Sequence, residues 1–189
     1  MSGLFKPARH GGAALTLDPV EASILRSLTV QMLELLGPGD DPDADDDPLA
    51  RLFATGPSEA PDDPALARLF PDAYSEGPEA TDYSAEFRRF TENDLRTRKR
   101  EDGLALVRSL DRAQTDRKGR LELRLDAADS KHWLGALNDL RLTLGTRLEV
   151  TEDDDTMYRL PDEDPRKPLM MAYLWLGGLQ ETLIEVLLR

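Results

Sequence analysis

Cysteine is absent from this 189-residue chain, which excludes a disulfide framework, a thiolate nucleophile, a cysteine-containing zinc site and a direct thiol switch. Histidine occurs only as His10 and His132, and an imidazole-based metal centre would need both to converge with carboxylates. Both are therefore read as ordinary surface or capped residues. Long uncharged apolar runs are also missing. The nearest, Leu169 to Leu188, is interrupted by Glu181 and Glu185. A charge near a bilayer centre costs about 2.5 to 3.5 kcal/mol, so this segment is expected to be a core helix. Met1 to Arg9 lacks the apolar stretch of a secretory signal, which makes the cytoplasm the expected location. No G-x-S-x-G elbow, phosphate-binding Walker loop or H-E-x-x-H pair occurs, so acyl transfer, nucleotide hydrolysis and zinc proteolysis lack their usual parts. The expectation is a non-enzymatic protein with no catalytic residue, cofactor or metal.

What the chain has in quantity is charge, 32% of its residues, with a net charge of -13. The excess is uneven. Between Arg88 and Arg124, twelve basic residues face seven acidic ones, a local balance of +5. Elsewhere acidic residues dominate, most densely in the run Asp-Asp-Pro-Asp-Ala-Asp-Asp-Asp-Pro that starts at Asp40. Asp41, Asp43 and Asp45 alternate as calcium ligands do. An EF-hand loop, however, needs glycine at its sixth position and glutamate at its twelfth, where Asp46 and Leu52 stand. The run is read as a solvated linker.

Local signals outline the elements. Ala13 to Leu17 reads as a short strand. Asp18, Pro19 and Glu21 form an N-cap, a first-turn proline and a capping box, so a helix should follow. Ile24, Leu25, Leu28, Met32, Leu35 and Leu36 supply its apolar stripe, and Gly37-Pro38-Gly39 its end. Residues 37–82 read as a largely disordered acidic Pro/Asp-rich insertion, with 37–63 expected to be mobile. Two echoing strings within it, DDPLARLF from Asp46 and DDPALARLF from Asp62, read as short helices docking on the body. A long helical region follows, opened by Tyr83, Phe87 and Phe90 and closed by Leu104, Val107 and Leu110, with Gly103 as a candidate break. Leu121, Leu123 and Leu125 alternate with charged residues as in a half-buried strand. Asp126 caps a helix carrying Trp133, Leu134, Leu137, Leu140 and Leu144, which Gly145 should end. Arg147 to Val150 and Met157 to Leu160 are expected to pair as a hairpin, and Leu169 to Leu188 forms the last helix. The sum is a single α+β domain over residues 1–189, predominantly helical, with a small β-sheet and an acidic disordered loop after the first helix.

The blocks LTLDPVEASILRSL, DDPLARLF, DDPALARLFPDAY, EFRRFTENDLR and WLGALNDLRLTLGTRLEV together resemble an actinobacterial family formerly known only as a domain of unknown function and represented by the oxidative-stress regulator AosR. The resemblance covers nearly the whole chain. It implies a cytoplasmic regulator of the antioxidant response that acts on transcription through contacts with a stress sigma factor or RNA polymerase, promoter DNA entering only as part of a complex. Family genes tend to lie beside those for a Clp adaptor, a sulfur-carrier protein and a cysteine synthase, which implies as the alternative a protein adaptor linked to Clp proteolysis or to sulfur-carrier cysteine biosynthesis. The resemblance also implies redox sensing through a cysteine pair, a feature this cysteine-free chain departs from.

The basic stretch is the place where the charge pattern leaves the acidic background, and it supplies the candidate partner-binding residues. At 100° per residue, Arg96, Arg98, Lys99 and Arg100 spread around a helix. Arg89, Arg96 and Arg100, at spacings of seven and four, return to nearly one face and form the expected partner-binding row.

Overall fold

A computed structural model describes residues 3–9, 12–38, 56–151 and 160–189. The first echo string, the acidic run, His10 and Met157 to Arg159 lie outside the described residues. In chain order the elements are β1 (Lys6–Pro7), β2 (Ala13–Leu17), α1 (Pro19–Leu36), α2 (Pro64–Leu69), α3 (Ala80–Arg112), β3 (Gln114–Thr115), β4 (Leu121–Leu125), α4 (Ala127–Arg147) and α5 (Lys167–Leu187). This is the α+β, mainly helical arrangement the sequence implies.

The sheet is antiparallel with strand order β1-β2-β4-β3. Its centre pairs Ala13, Leu15 and Leu17 of β2 with Leu125, Leu123 and Leu121 of β4. Because side chains alternate across a strand, this register stacks the leucines on one face and turns Glu122 and Arg124 to solvent. The helices cover the leucine face, with α4 as the hub: it packs against α1, α2, α3, α5 and β4. Trp133, Ala136, Leu137, Leu140 and Leu144 line its inner stripe.

Each helix start has a local cause. The Asp18 side chain accepts from the Val20 and Glu21 N–H groups at 2.8 Å, and Glu21 accepts from the Asp18 N–H at 3.0 Å, closing the capping box. Asp63 and Asp126 cap α2 and α4 in the same way. The α2 string docks as expected, burying Ala65, Leu69 and Phe70. The chain on either side of it is anchored to α3: the Gly56 N–H donates to the Arg89 carbonyl at 2.7 Å, and Ser84 Oγ bridges the Tyr74 N–H and carbonyl at 3.0 Å each.

Three local expectations are corrected. Gly103 does not break α3, which runs unbroken for 33 residues; it is buried, and a Cβ there would come within 3.0 Å of the Leu33 side chain, so its role is close passage of α1. Gly145 does not end α4, which continues to Arg147; a Cβ there would meet the Tyr173 ring at 3.3 Å, so this glycine too serves helix packing. The first arm of the expected hairpin is not a strand either: Arg147 ends the helix and Leu148 and Glu149 form a turn, while Met157 to Arg159 of the second arm lie outside the described residues. Instead the chain leaves α4 through Glu149 at φ 55, with the Val150 N–H donating to the Gly145 carbonyl at 2.9 Å.

Candidate functional site

Helix α3 carries most of the chain's unusual chemistry: its last turns bury Leu106 and Leu110 in the core as the apolar pattern implies, but over its first half the faces are reversed. There the line facing the body is polar, with Ser84, Arg88 and Glu92 buried, and Asp102 is buried further along. Glu92 is at its centre, with a side chain 2% exposed, accepting from Arg88 at 2.7 Å and from Arg96 at 2.6 Å. Arg88 also donates to the Phe70 carbonyl at 3.0 Å and to Asp72 at 2.7 Å. Arg96 reaches the Leu36 carbonyl at 2.6 Å and stacks over the Phe70 ring at 4.5 Å. Arg100 donates to the Leu33 carbonyl at 3.2 Å and to the Gly37 carbonyl. The last carbonyls of α1 lack intrahelical partners and carry the negative end of its dipole, so two guanidinium groups satisfy both demands.

The sequence-derived row is thus divided by the fold. Arg96 and Arg100 are half-buried with their guanidinium groups bound to the end of α1, while Arg89 lies on the exposed side of α3 beside Phe90, its guanidinium 6.0 Å from that ring. The aromatics of α3 expected in the core stand in solvent: Tyr83 is 52% exposed, Phe87 47% and Phe90 66%. Tyr74 joins them edge-on, its ring 6.0 Å from Tyr83 and 6.3 Å from Phe87.

A second polar cluster, not marked in the sequence by any motif, joins α3 to α4. Lys99 donates to Asp139 at 2.7 Å, and His132 Nδ1 lies 2.7 Å from Asp102. Gly135 makes room for this contact, because a Cβ there would fall 2.2 Å from Asp102 Oδ2. Burial pushes the Asp139 carboxyl above its ordinary value of 3.8, Lys99 pulls it down, and the like charge of Asp102 adds to the rise. A carboxyl raised on folding binds its proton more tightly in the native state. Its contribution to stability is therefore full below about 3.8 and lost as pH rises through the native value. Subtracting the unfolding free energy of an Asp139→Asn variant from that of the parent should give a difference that falls across this window. A difference independent of pH from 3 to 7, in denaturant titrations, would show that Asp139 titrates normally.

These features define a helical α+β protein in which buried ion pairs lock a long helix to the body and leave an aromatic face outside. The chain belongs to the family described as Domain of unknown function (DUF2017), whose model matches residues 1–187. It is also similar to the "Oxidative stress regulator AosR" of Mycobacterium tuberculosis (strain ATCC 25618 / H37Rv) and of Mycobacterium bovis (strain ATCC BAA-935 / AF2122/97), at 42% identity over 73 residues in each case. The match takes in 39% of this chain and 32% of each relative, so the chain spans about a third of the length of the curated relatives it matches. No solved structure matches.

Proposed function

We propose that this protein is a non-enzymatic, cytoplasmic regulator of the oxidative-stress response that acts on transcription by contacting a stress sigma factor or RNA polymerase. The observation that carries the reading is the aromatic face of α3, where Tyr83, Phe87 and Phe90 are exposed with Tyr74 packed on the first two, and Arg89 flanks it beside Phe90. Aromatic side chains and arginine are the residues enriched at the centres of protein interfaces, and a cluster of them in water is costly unless a partner covers it. The process is supported by the relatives named as oxidative stress regulators. In this reading Arg89 makes the direct contact, and Arg96 and Arg100 complete the row by holding α1 against the same helix. Promoter DNA enters only within the complex, since a net charge of -13 repels a duplex from the rest of the surface.

The test is affinity capture from cells grown with and without peroxide, using the parent and an Arg89→Glu/Phe87→Ser/Phe90→Ser variant shown to be folded. Recovery of sigma or polymerase subunits by the parent should fall about ten-fold or more in the variant. Equal recovery would remove this face from the contact. Capture of Clp or cysteine-pathway proteins in their place would favour the adaptor role.

A further inference from the structure

At the opposite end of α3, away from the aromatic face, the sheet is left unfinished. Strand β3 pairs with β4 only at Gln114↔Glu122 and Thr115↔Leu121, although β2 pairs with β4 along its whole length from Leu121 to Leu125. The hairpin hydrogen bond from the Asp116 N–H to the Arg120 carbonyl, 2.8 Å, shows that Arg120 directs its backbone groups to the β3 side. In an antiparallel ladder this direction alternates, so Glu122 and Arg124 face the same side while Leu121, Leu123 and Leu125 bond to β2. Glu122 meets β3. Among the described residues Arg124 has no strand partner there, because Gln114 is the first residue of β3 and Arg112 already belongs to α3.

A cleft of about 340 Å³ occupies this gap, between the last turns of α3 and the open edge of β4. Its size is at the lower end of the range of ligand sites. Three of its lining residues are Arg108, Arg112 and Arg124, all exposed. Within the basic stretch Arg88, Arg96, Lys99 and Arg120 each have an acidic partner, while the exposed Arg89, Arg98, Arg117 and Lys118 have none among the described residues but do not line the cleft. Arg108, Arg112 and Arg124 have no hydrogen-bonded or ionic side-chain partner among the described residues, although the chain carries 37 acidic residues.

We infer that this cleft binds an extended acidic peptide segment of a protein partner, which adds to the sheet at Arg124 and places its carboxylates against Arg108 and Arg112. The N–H and carbonyl of Arg124, unpaired by any strand among the described residues, supply the backbone recognition of strand addition, and the guanidinium groups supply its charge preference. Glu122 and Asp129 also line the cleft and select against a continuous polyanion such as a nucleic acid backbone, which would bring phosphates against them. A peptide avoids this by spacing its carboxylates. The negative charge of the rest of the molecule is screened beyond roughly 8 Å at physiological salt, so it lowers the association rate without closing the site.

The test uses the full chain and three probes: a short labelled peptide alternating Glu and Val, its Lys/Val counterpart, and inorganic phosphate. The Glu/Val peptide should bind saturably and the Lys/Val peptide should not. An Arg108→Ser/Arg112→Ser/Arg124→Ser variant, which changes only exposed side chains, should keep the parent's circular dichroism and lose about ten-fold or more in affinity. Hydrogen exchange at the Arg124 amide should slow in the complex. Equal binding of the triple variant, an unchanged Arg124 amide in the saturated complex, or binding of phosphate in preference to the peptide would each overturn the inference. Because these residues lie outside the aromatic face, the Arg89→Glu/Phe87→Ser/Phe90→Ser variant should bind the Glu/Val peptide as the parent does, which separates failure here from failure of the proposed regulatory contact.

Discussion

Replacing Trp133 with alanine is expected to lower the unfolding free energy by about 3 to 5 kcal/mol, the cost of emptying a well-packed aromatic site. Trp133 is fully buried on the hub helix α4 and receives the edge of Phe5 at a centroid distance of 5.8 Å with an interplanar angle of 84°. Phe5 itself is tied to α5, its N–H donating to Thr182 Oγ1 at 3.2 Å. The indole ring therefore joins the N-terminal segment, the hub and the body of the core. Its Nε1–H has no hydrogen-bond partner among the described residues, so the loss is one of packing and not of polar contacts. Trp133→Phe should consequently retain most of the stability, since it keeps a ring and removes an unsatisfied donor. Equilibrium denaturation of both variants checks the point. A loss below about 1 kcal/mol for the alanine variant would place the ring outside the core.

The second large effect is expected at Glu92, whose substitution by leucine should cost about 3 to 5 kcal/mol although it adds apolar volume to a buried site. The reason is what it leaves behind. Arg88, with a side chain only 5% exposed, would keep Asp72, which is largely in solvent, and the Phe70 carbonyl, but lose its buried counter-charge. Arg96 would lose the carboxylate that directs it towards the end of α1. Removing both members of the inner pair relieves the orphaned charge, so Arg88→Met/Glu92→Leu should be no less stable than Glu92→Leu alone. Denaturant midpoints for the two single variants and the double variant form the cycle that decides this. Additive losses would mean that the pair is uncoupled and that Glu92 acts only through the space it fills.

These two residues also mark where the sequence is legible and where it is not. Trp133 is found from its own helix, because Leu137, Leu140 and Leu144 recur behind it at helical spacing and all four are buried together. Asp18 with Glu21, Asp63, Asp126 and the alternation of Leu121, Leu123 and Leu125 are equally local, each acting within one turn or one strand. Glu92 offers no such signal. On α3 the lines through Phe87 and Phe90 and through Arg88 and Glu92 have the same helical spacing, and hydrophobicity alone would bury the aromatics.

Local sequence is enough to set the helical α+β class, the caps that start α1, α2 and α4, the pairing-competent faces of β2 and β4, and the excess of positive charge across residues 88–124. Those properties depend on neighbours within a few residues, so propensity, capping and periodicity specify them. Which way the first half of α3 faces is set by contacts from distant segments. Its polar line is buried because the last carbonyls of α1, some 60 residues earlier, and the Phe70 carbonyl and Asp72 arrive from separate segments to satisfy it. Once those partners are in place, ionic and hydrogen-bonding groups in the interface cost less than leaving α1's end unpaired, and the aromatic residues are turned to solvent. The same rotation divides the arginines, placing Arg96 and Arg100 against α1 and leaving Arg89 in solvent beside Phe90. The open edge at Arg124 is likewise a tertiary outcome, since it exists only because β3 ends after pairing two residues of a strand that β2 covers in full.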